Sequence, residues 1–196
     1  KNKPRYLEVK NAFDDFLEEL HRELVKIDGR LEGLNPRKLA FRIYRDVRFS
    51  KDKRPFKINM GAGFSPHGKM DQEPGYYIHL EPGRCFVAGG LYMPNAENLT
   101  KVRQEIDYNP QELDKILKDK AFKKFFSGLD DFDRVKTAPK GYAKDHPYIE
   151  LLRNKSFIAS HYFSDGQVKD KKFIKQVSGV CKALKPLNDF LFRAMD

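Results

Sequence analysis

Apolar residues recur at three- and four-residue steps through residues 5–27, at Phe13, Phe16, Leu17, Leu20, Leu24 and Ile27, with charged residues mostly between them. That spacing predicts an amphipathic helix. Asp28-Gly29 reads as its C-terminal turn, residues 29–34 as a short strand and Asn35-Pro36 as a turn. The period then changes to two. Over residues 39–49, Phe41, Ile43, Val47 and Phe49 share one face with Arg45, while Arg42, Tyr44, Asp46 and Arg48 share the other. After a polar break at 50–55, residues 56–64 alternate again, lightened by Gly61 and Gly63.

Residues 65–74 are a loop rich in turn formers. Residues 75–81, a Pro82-Gly83 turn and residues 84–93 predict a β-hairpin, with Gly89-Gly90 marking a bulge or a close backbone approach. Helices are expected over 96–108, from Pro110 to about 118, and over 121–127. Residues 133–137 read as a strand, and Asp145 as the cap of a helix through about 153. A strand over 156–163, a cap at Ser164-Asp165, a helix over 173–184 broken at Lys185-Pro186, and a last helix over 187–195 complete the chain. Helices at both ends of a strand-rich middle predict an α+β fold with a mostly antiparallel sheet flanked by N- and C-terminal helices. No linker or repeat divides residues 1–196, so one domain is expected.

Composition narrows the class. The chain has 196 residues, 40% hydrophobic, with 16 Phe and 9 Tyr, so it can bury a substantial core. No run approaches the roughly 20 apolar residues of a membrane span, and no membrane partner is expected. Cys85 and Cys181 lie far apart in apolar runs. They read as two buried thiols of a reducing, cytoplasmic setting.

The net charge of +10 is unevenly placed. Residues 37–57 hold nine basic residues against Asp46 and Asp52, a local +7, and residues 136–155 hold five against Asp145 and Glu150. The rest of the chain balances. On one strand face, Arg42 and Arg48 flank Asp46 with guanidinium forks suited to carboxylate or phosphate, and Ser50, Lys51, Lys53 and Lys57 follow. Arg45 falls on the apolar side and needs a mate, with Glu81 or Asp71 as the candidates. Solvated internal salt bridges would explain the same pattern.

Two further constellations carry chemistry. Tyr77, His79 and Glu81 share a strand face, where His79 and Glu81 could be a base and its orienting group. A half-exposed strand face explains them as well. Lys140-Gly141 before a helix start resembles a phosphate-contacting turn, with Asp145 as a plain helix cap the simpler account. The five histidines show no HxH or HxxxH spacing, so no metal is expected, and no cofactor motif such as GxxxxGK[ST] or GxGxxG occurs. GxSxG and the spacings of common nucleic-acid modules are absent too.

The run RIYRDVRFSKDKRPFK (42–57) resembles a family catalogued as domain of unknown function 2461. So do PGYYIHLEPG (74–83), the Gly89-Gly90 strand, PKGYAKDHP (139–147), LLRNKSF (151–157) and KPLNDFL (185–191), in that order. The resemblance implies a shared α+β fold and no established activity. Its members carry an Asn-Asn-Xaa-Arg-Xaa-Trp-Phe segment ahead of this region, and the first residue here is Lys, so a preceding N-terminal piece is expected. Three functions follow from the residues. The first is a domain binding an anionic small molecule or nucleic acid through the basic segment, with Arg42, Arg45, Arg48, Ser50, Lys51, Lys53, Lys57, Tyr77 and Lys140 as contacts. The second is an enzyme on a small anionic substrate using arginines with His79 and Glu81. The third is a structural or interaction domain.

Overall fold

The computed structural model describes residues 3–48, 51–70 and 72–196. Helix α1 (Lys3–Ile27) buries Phe13, Leu17, Leu20 and Leu24 along the stripe its periodicity predicts. The strand expected over 29–34 does not form. The Asp28 side chain accepts from Arg30 N (3.3 Å) and its carbonyl from Leu31 N (3.1 Å), which winds Gly29–Leu31 into a 3-10 turn. A second such turn, Pro36–Lys38, is capped by Asn35.

Four antiparallel strands form the sheet in chain order: β1 (Met60–Phe64), β2 (Gly75–Leu80), β3 (Cys85–Leu91) and β4 (Phe157–Phe163). Between β3 and β4 the chain forms α2 (Ala96–Tyr108), α3 (Pro110–Lys118), α4 (Lys120–Lys123) and α5 (Ile149–Leu152). The short α6 (Asp165–Val168) and the long α7 (Phe173–Met195) follow. The chain is α+β, with helices at both ends.

Alternation divides the sheet into two faces. Ala62, Phe64, Tyr76, Ile78, Val87, Leu91, Phe157 and Ala159 point inward and are buried in one cluster with α1 and α7. Helix α7 packs on β3 so closely that a Cβ on Gly89 would stand 2.8 Å from Leu184 Cδ1. Gly90 has φ +123°, and its Cβ would meet the Phe157 carbonyl at 2.0 Å. The glycine pair is thus a close backbone approach.

The break expected at Lys185-Pro186 is absent: α7 runs through Pro186. A helical proline removes the bond to the carbonyl four residues back, here Lys182. Both residues are exposed, so water can satisfy that carbonyl while Cys181, Leu184, Leu187 and Leu191 stay buried. At roughly 1.5–3 kcal/mol for each large side chain buried, the apolar stripe outweighs the lost bond.

The alternating run at 39–49 forms no strand among its described residues. It makes single bridges, Ala40 to Ala62 and Tyr44 to Phe56, the latter between the 43–45 and 55–57 backbones. Pro55 has no N–H to donate, and two aspartates divert backbone donors: Arg48 N bonds Asp46 Oδ1 (3.2 Å) and Arg54 N bonds Asp52 Oδ1 (3.0 Å). Such local turns compete with a ladder. Residues 133–137 likewise reduce to one bridge, Arg134 to Asn154. Asp145 caps no helix, because α5 begins later and has Tyr148 at its N-cap without a side-chain bond.

Candidate functional site

The outer sheet face carries two cross-strand rows set by the register: Gly61, His79, Phe86 and Tyr162, then Gly63, Tyr77, Ala88 and Ser160. His79 lies flat on Phe86, with centroids 4.7 Å apart and planes 16° apart, and Phe86 meets Tyr162 at 5.4 Å. Phe41, from the irregular segment beside β1, packs edge-on to Tyr77 at 5.9 Å. The face is therefore an aromatic floor, left half-open by side chains such as Phe41 (37% exposed) and Tyr162 (59% exposed).

Across this floor runs a hydrogen-bonded chain. His79 Nε2 lies 2.9 Å from Glu81 Oε2, and His79 Nδ1 lies 2.9 Å from the Tyr77 hydroxyl. An ionised carboxylate only accepts, so Nε2 carries the proton; in the neutral ring Nδ1 then accepts from Tyr77. This tautomer is assigned from the network. Asn59 Nδ2 approaches Nδ1 at 3.4 Å. The His79 and Glu81 side chains are 13% and 18% exposed. Cys85 Sγ donates to the Glu81 carbonyl (3.1 Å), pinning the backbone where β2 ends. Burial raises the Tyr77 pKa, and the charges of Glu81 and Tyr92 push the same way.

A cationic rim borders the floor. The ammonium groups of Lys57 and Lys69 each lie 5.8 Å from the Phe41 ring centroid, within cation–π range. Burial lowers the Lys57 pKa, and the nearby charge of Arg42 lowers it further. Lys69 sits in a tied loop: Met70 N bonds Ser65 Oγ (3.0 Å), and the Lys69 carbonyl lies 3.2 Å from where a Gly63 Cβ would be.

The remaining sequence candidates are dispersed. Arg48 forks onto Asp46 (2.9 and 2.6 Å), and Asp52 binds both Arg54 (2.7 Å) and Arg45. Asp52 is therefore a mate of Arg45, while the expected Glu81 pairs with His79; Asp71, the other expected mate, lies outside the described residues. These contacts hold Asp46 and Asp52 below the usual carboxylate range, through Arg48 for the first and chiefly Arg54 for the second. Lys53 Nζ donates to the Val47 carbonyl (3.0 Å), and Lys51 and Lys140 are exposed. Ser50 lies outside the described residues. With four residues, α5 provides no developed helix N-terminus near Lys140.

The structure thus unites Tyr77, His79 and Glu81 and puts Lys57 beside them through Phe41, with the charge of Arg42 near Lys57. Sequence reasoning missed Lys69, Asn59 and Phe86. Only Phe86 had a legible signal, since counting back from the Pro82-Gly83 turn pairs it with His79. No group of three or more His, Cys, Asp or Glu that could hold a metal occurs among the described residues. None of the described helices is long and apolar enough to cross a membrane. Two surface grooves lie elsewhere, one along α1 at Glu19, His21 and Lys26, the other between α3 and α7 at Glu112, Ile116 and Arg193.

Comparison with curated proteins and with solved structures gives no match. A family match covers residues 1–190. By that match the chain belongs to the family described as conserved hypothetical protein (DUF2461).

Proposed function

We propose that the outer sheet face binds a small anionic, phosphate-bearing ligand that also carries a planar ring. One observation carries this reading: Lys57 and Lys69 both crowd the Phe41 ring, with Arg42 close enough to depress Lys57. Lys57, Lys69 and Arg42 are exposed, yet holding like charges together still costs free energy, and a bound anion relieves that cost. The ring has a floor to stack on, beside Phe86 and Tyr162. This moves the weight of the basic segment from Arg45 and Arg48, which are paired to Asp52 and Asp46, toward Arg42 and Lys57. The domain acts as one unit, and the two buried free thiols fit a reducing, cytoplasmic setting.

The test is a titration of the full chain with inorganic phosphate and with adenosine monophosphate, followed by NMR shifts and calorimetry. Both bind, and the ring-bearing probe binds more tightly. Replacing Lys57 and Lys69 together by Met weakens binding by roughly 10–100-fold, the value of one or two charge-assisted hydrogen bonds. Equal affinity of the double variant sinks the assignment. A single-stranded oligonucleotide that outcompetes the mononucleotide would shift the partner to nucleic acid.

A second reading, an enzyme acting on such an anion, is favoured by the hydrogen-bonded Tyr77–His79–Glu81 chain.

A further inference from the structure

The molecule contains two tyrosines at adjacent positions of one strand, and they differ in kind. Tyr76 points inward, is 2% exposed, and gives its hydroxyl to the Asp28 carboxylate at 3.2 Å. That is a satisfied core tyrosine. Tyr77 points to the face that carries the cationic rim and gives its hydroxyl to a histidine nitrogen that a carboxylate orients from behind. A hydroxyl, a base within hydrogen-bond reach and an orienting group form the arrangement of an activated oxygen.

Three features hold it in register. His79 is bonded at both nitrogens and stacked on Phe86, so its ring cannot turn. Glu81 is anchored through its own carbonyl by Cys85. Gly61, directly opposite His79, leaves room for the Tyr77 oxygen: a Cβ there would lie 2.7 Å from it. Any other residue at 61 would push into the place the hydroxyl occupies.

We propose that Tyr77, His79 and Glu81 are a proton relay that makes the outer face catalytic, activating water against the phosphate-ester bond of the bound anion. The place of the anion rests on the binding reading above. In the forward step the Tyr77 proton passes to His79 Nδ1 as the Tyr77 oxygen takes a proton from water. The resulting hydroxide bonds to phosphorus, and the bond from phosphorus to the leaving oxygen breaks. The imidazolium so formed faces the Glu81 carboxylate. Its Nδ1 proton then returns to the Tyr77 oxygen as the Tyr77 proton goes to the leaving alkoxide. Water and ester become alcohol and phosphate, and the relay ends as it began. Because burial and Glu81 disfavour a resident phenolate, the Tyr77 proton leaves only as His79 receives it.

The experiment measures p-nitrophenolate release from p-nitrophenyl phosphate by the full chain, alongside calorimetric binding of inorganic phosphate. Wild type exceeds the buffer rate. Tyr77→Phe and His79→Gln each lower kcat by about 10²–10⁴-fold with KM changed less than about twofold. Gly61→Ala, which keeps all three groups and displaces the hydroxyl, also lowers kcat. The ¹⁵N spectrum of His79 reports the Nε2–H tautomer, and Tyr77→Phe moves the Nδ1 signal, a readout that loss of fold cannot imitate when the melting temperature is unchanged. Phosphate binding without turnover, or equal rates in wild type and folded Tyr77→Phe, overturns the relay and leaves the binding face standing. Turnover that survives loss of Lys57 and Lys69 but not of Tyr77 upholds the relay and overturns the place given to the anion. Neither binding nor turnover overturns both.

Discussion

Asp28 sits 3% exposed where α1 ends, and the side chains of Arg30 and Tyr76 meet on its carboxylate. Arg30 forks onto both oxygens (2.7 Å each) and reaches Asp189 of α7 (2.7 Å), while its guanidinium lies 4.2 Å from the Phe192 ring centroid. Burial pushes the Asp28 pKa up, but the Arg30 hydrogen bonds and charge, with help from Tyr76, bring it below its ordinary value. A carboxylate with a depressed folded pKa contributes stability that is complete above its unfolded value, about 3.9, and lost as pH falls through the folded value. Asp28→Asn should therefore cost about 2–3 kcal/mol at neutral pH, discounted for the one-third exposure of Arg30, and should flatten the acid limb of stability against pH. Urea melts from pH 7 to pH 2 check this; an unchanged acid limb would refute it. Little of this tie was legible, because the sequence places Tyr76 and Asp189 far from Asp28 and only the packing of α7 on the sheet joins them. Arg45 makes the converse point. That it needed a mate was legible, but its pairing with Asp52 was not, since strand spacing puts residues 45 and 52 on opposite faces.

At the scale of elements, period decided what could be read. The helices at 96–108 and 110–118 and the hairpin about Pro82-Gly83 were legible because propensity, spacing and turn chemistry agree there. The run at 39–49 has strand spacing, yet Asp46, Asp52 and Pro55 withdraw the backbone donors a ladder needs. On β2 the candidate residues were therefore visible together, whereas of the neighbouring loops Arg42 and Lys57 were legible as cations and Lys69 and Asn59 were not. Pro186 was misread for the opposite reason: its local penalty is real, but the buried face of α7 outweighs it. Pro186→Ala restores a donor for the Lys182 carbonyl and should raise stability by about 1–2 kcal/mol, the helix gain less the unfolded-state entropy that proline saves. Thermal melts decide it, and a drop would contradict the account. Gly90→Ala should cost more than about 2 kcal/mol, because its Cβ meets the Phe157 carbonyl at 2.0 Å and its φ of +123° suits glycine alone. Near-wild-type stability would mean that β3 and β4 part more easily than the geometry allows.

Across the whole molecule, the excess charge is less available than its total suggests. Within residues 37–57, Arg37 binds Glu18 and Asp15 of α1, Arg48 binds Asp46, and Arg45 and Arg54 share Asp52. Composition showed where the charge lies but not how much of it neighbouring acids answer. If all nine basic residues of the segment met phosphates, log K for a single strand would fall with log salt at a slope of about −6. With Arg37, Arg45, Arg48 and Arg54 engaged and Arg42, Lys57 and Lys69 making the contacts, a slope of about −2 is expected for a short oligonucleotide. Fluorescence anisotropy across a salt series measures it, and a slope near −6 would mean that the ion pairs open on binding.

Tyr77, His79 and Glu81 stand two residues apart on one stretch of chain, so their mutual spacing is set by the pleat of a strand rather than by the docking of distant segments. Closure of the β2–β3 hairpin alone is enough to bring the trio to its spacing, without the docking of any helix. The flat ring of Phe86 belongs to the same hairpin, so the trio needs little from its host beyond a glycine on the strand to its other side. That is a modest demand, and it makes the hairpin a piece that could be transplanted into another antiparallel sheet with its hydrogen-bonded geometry intact.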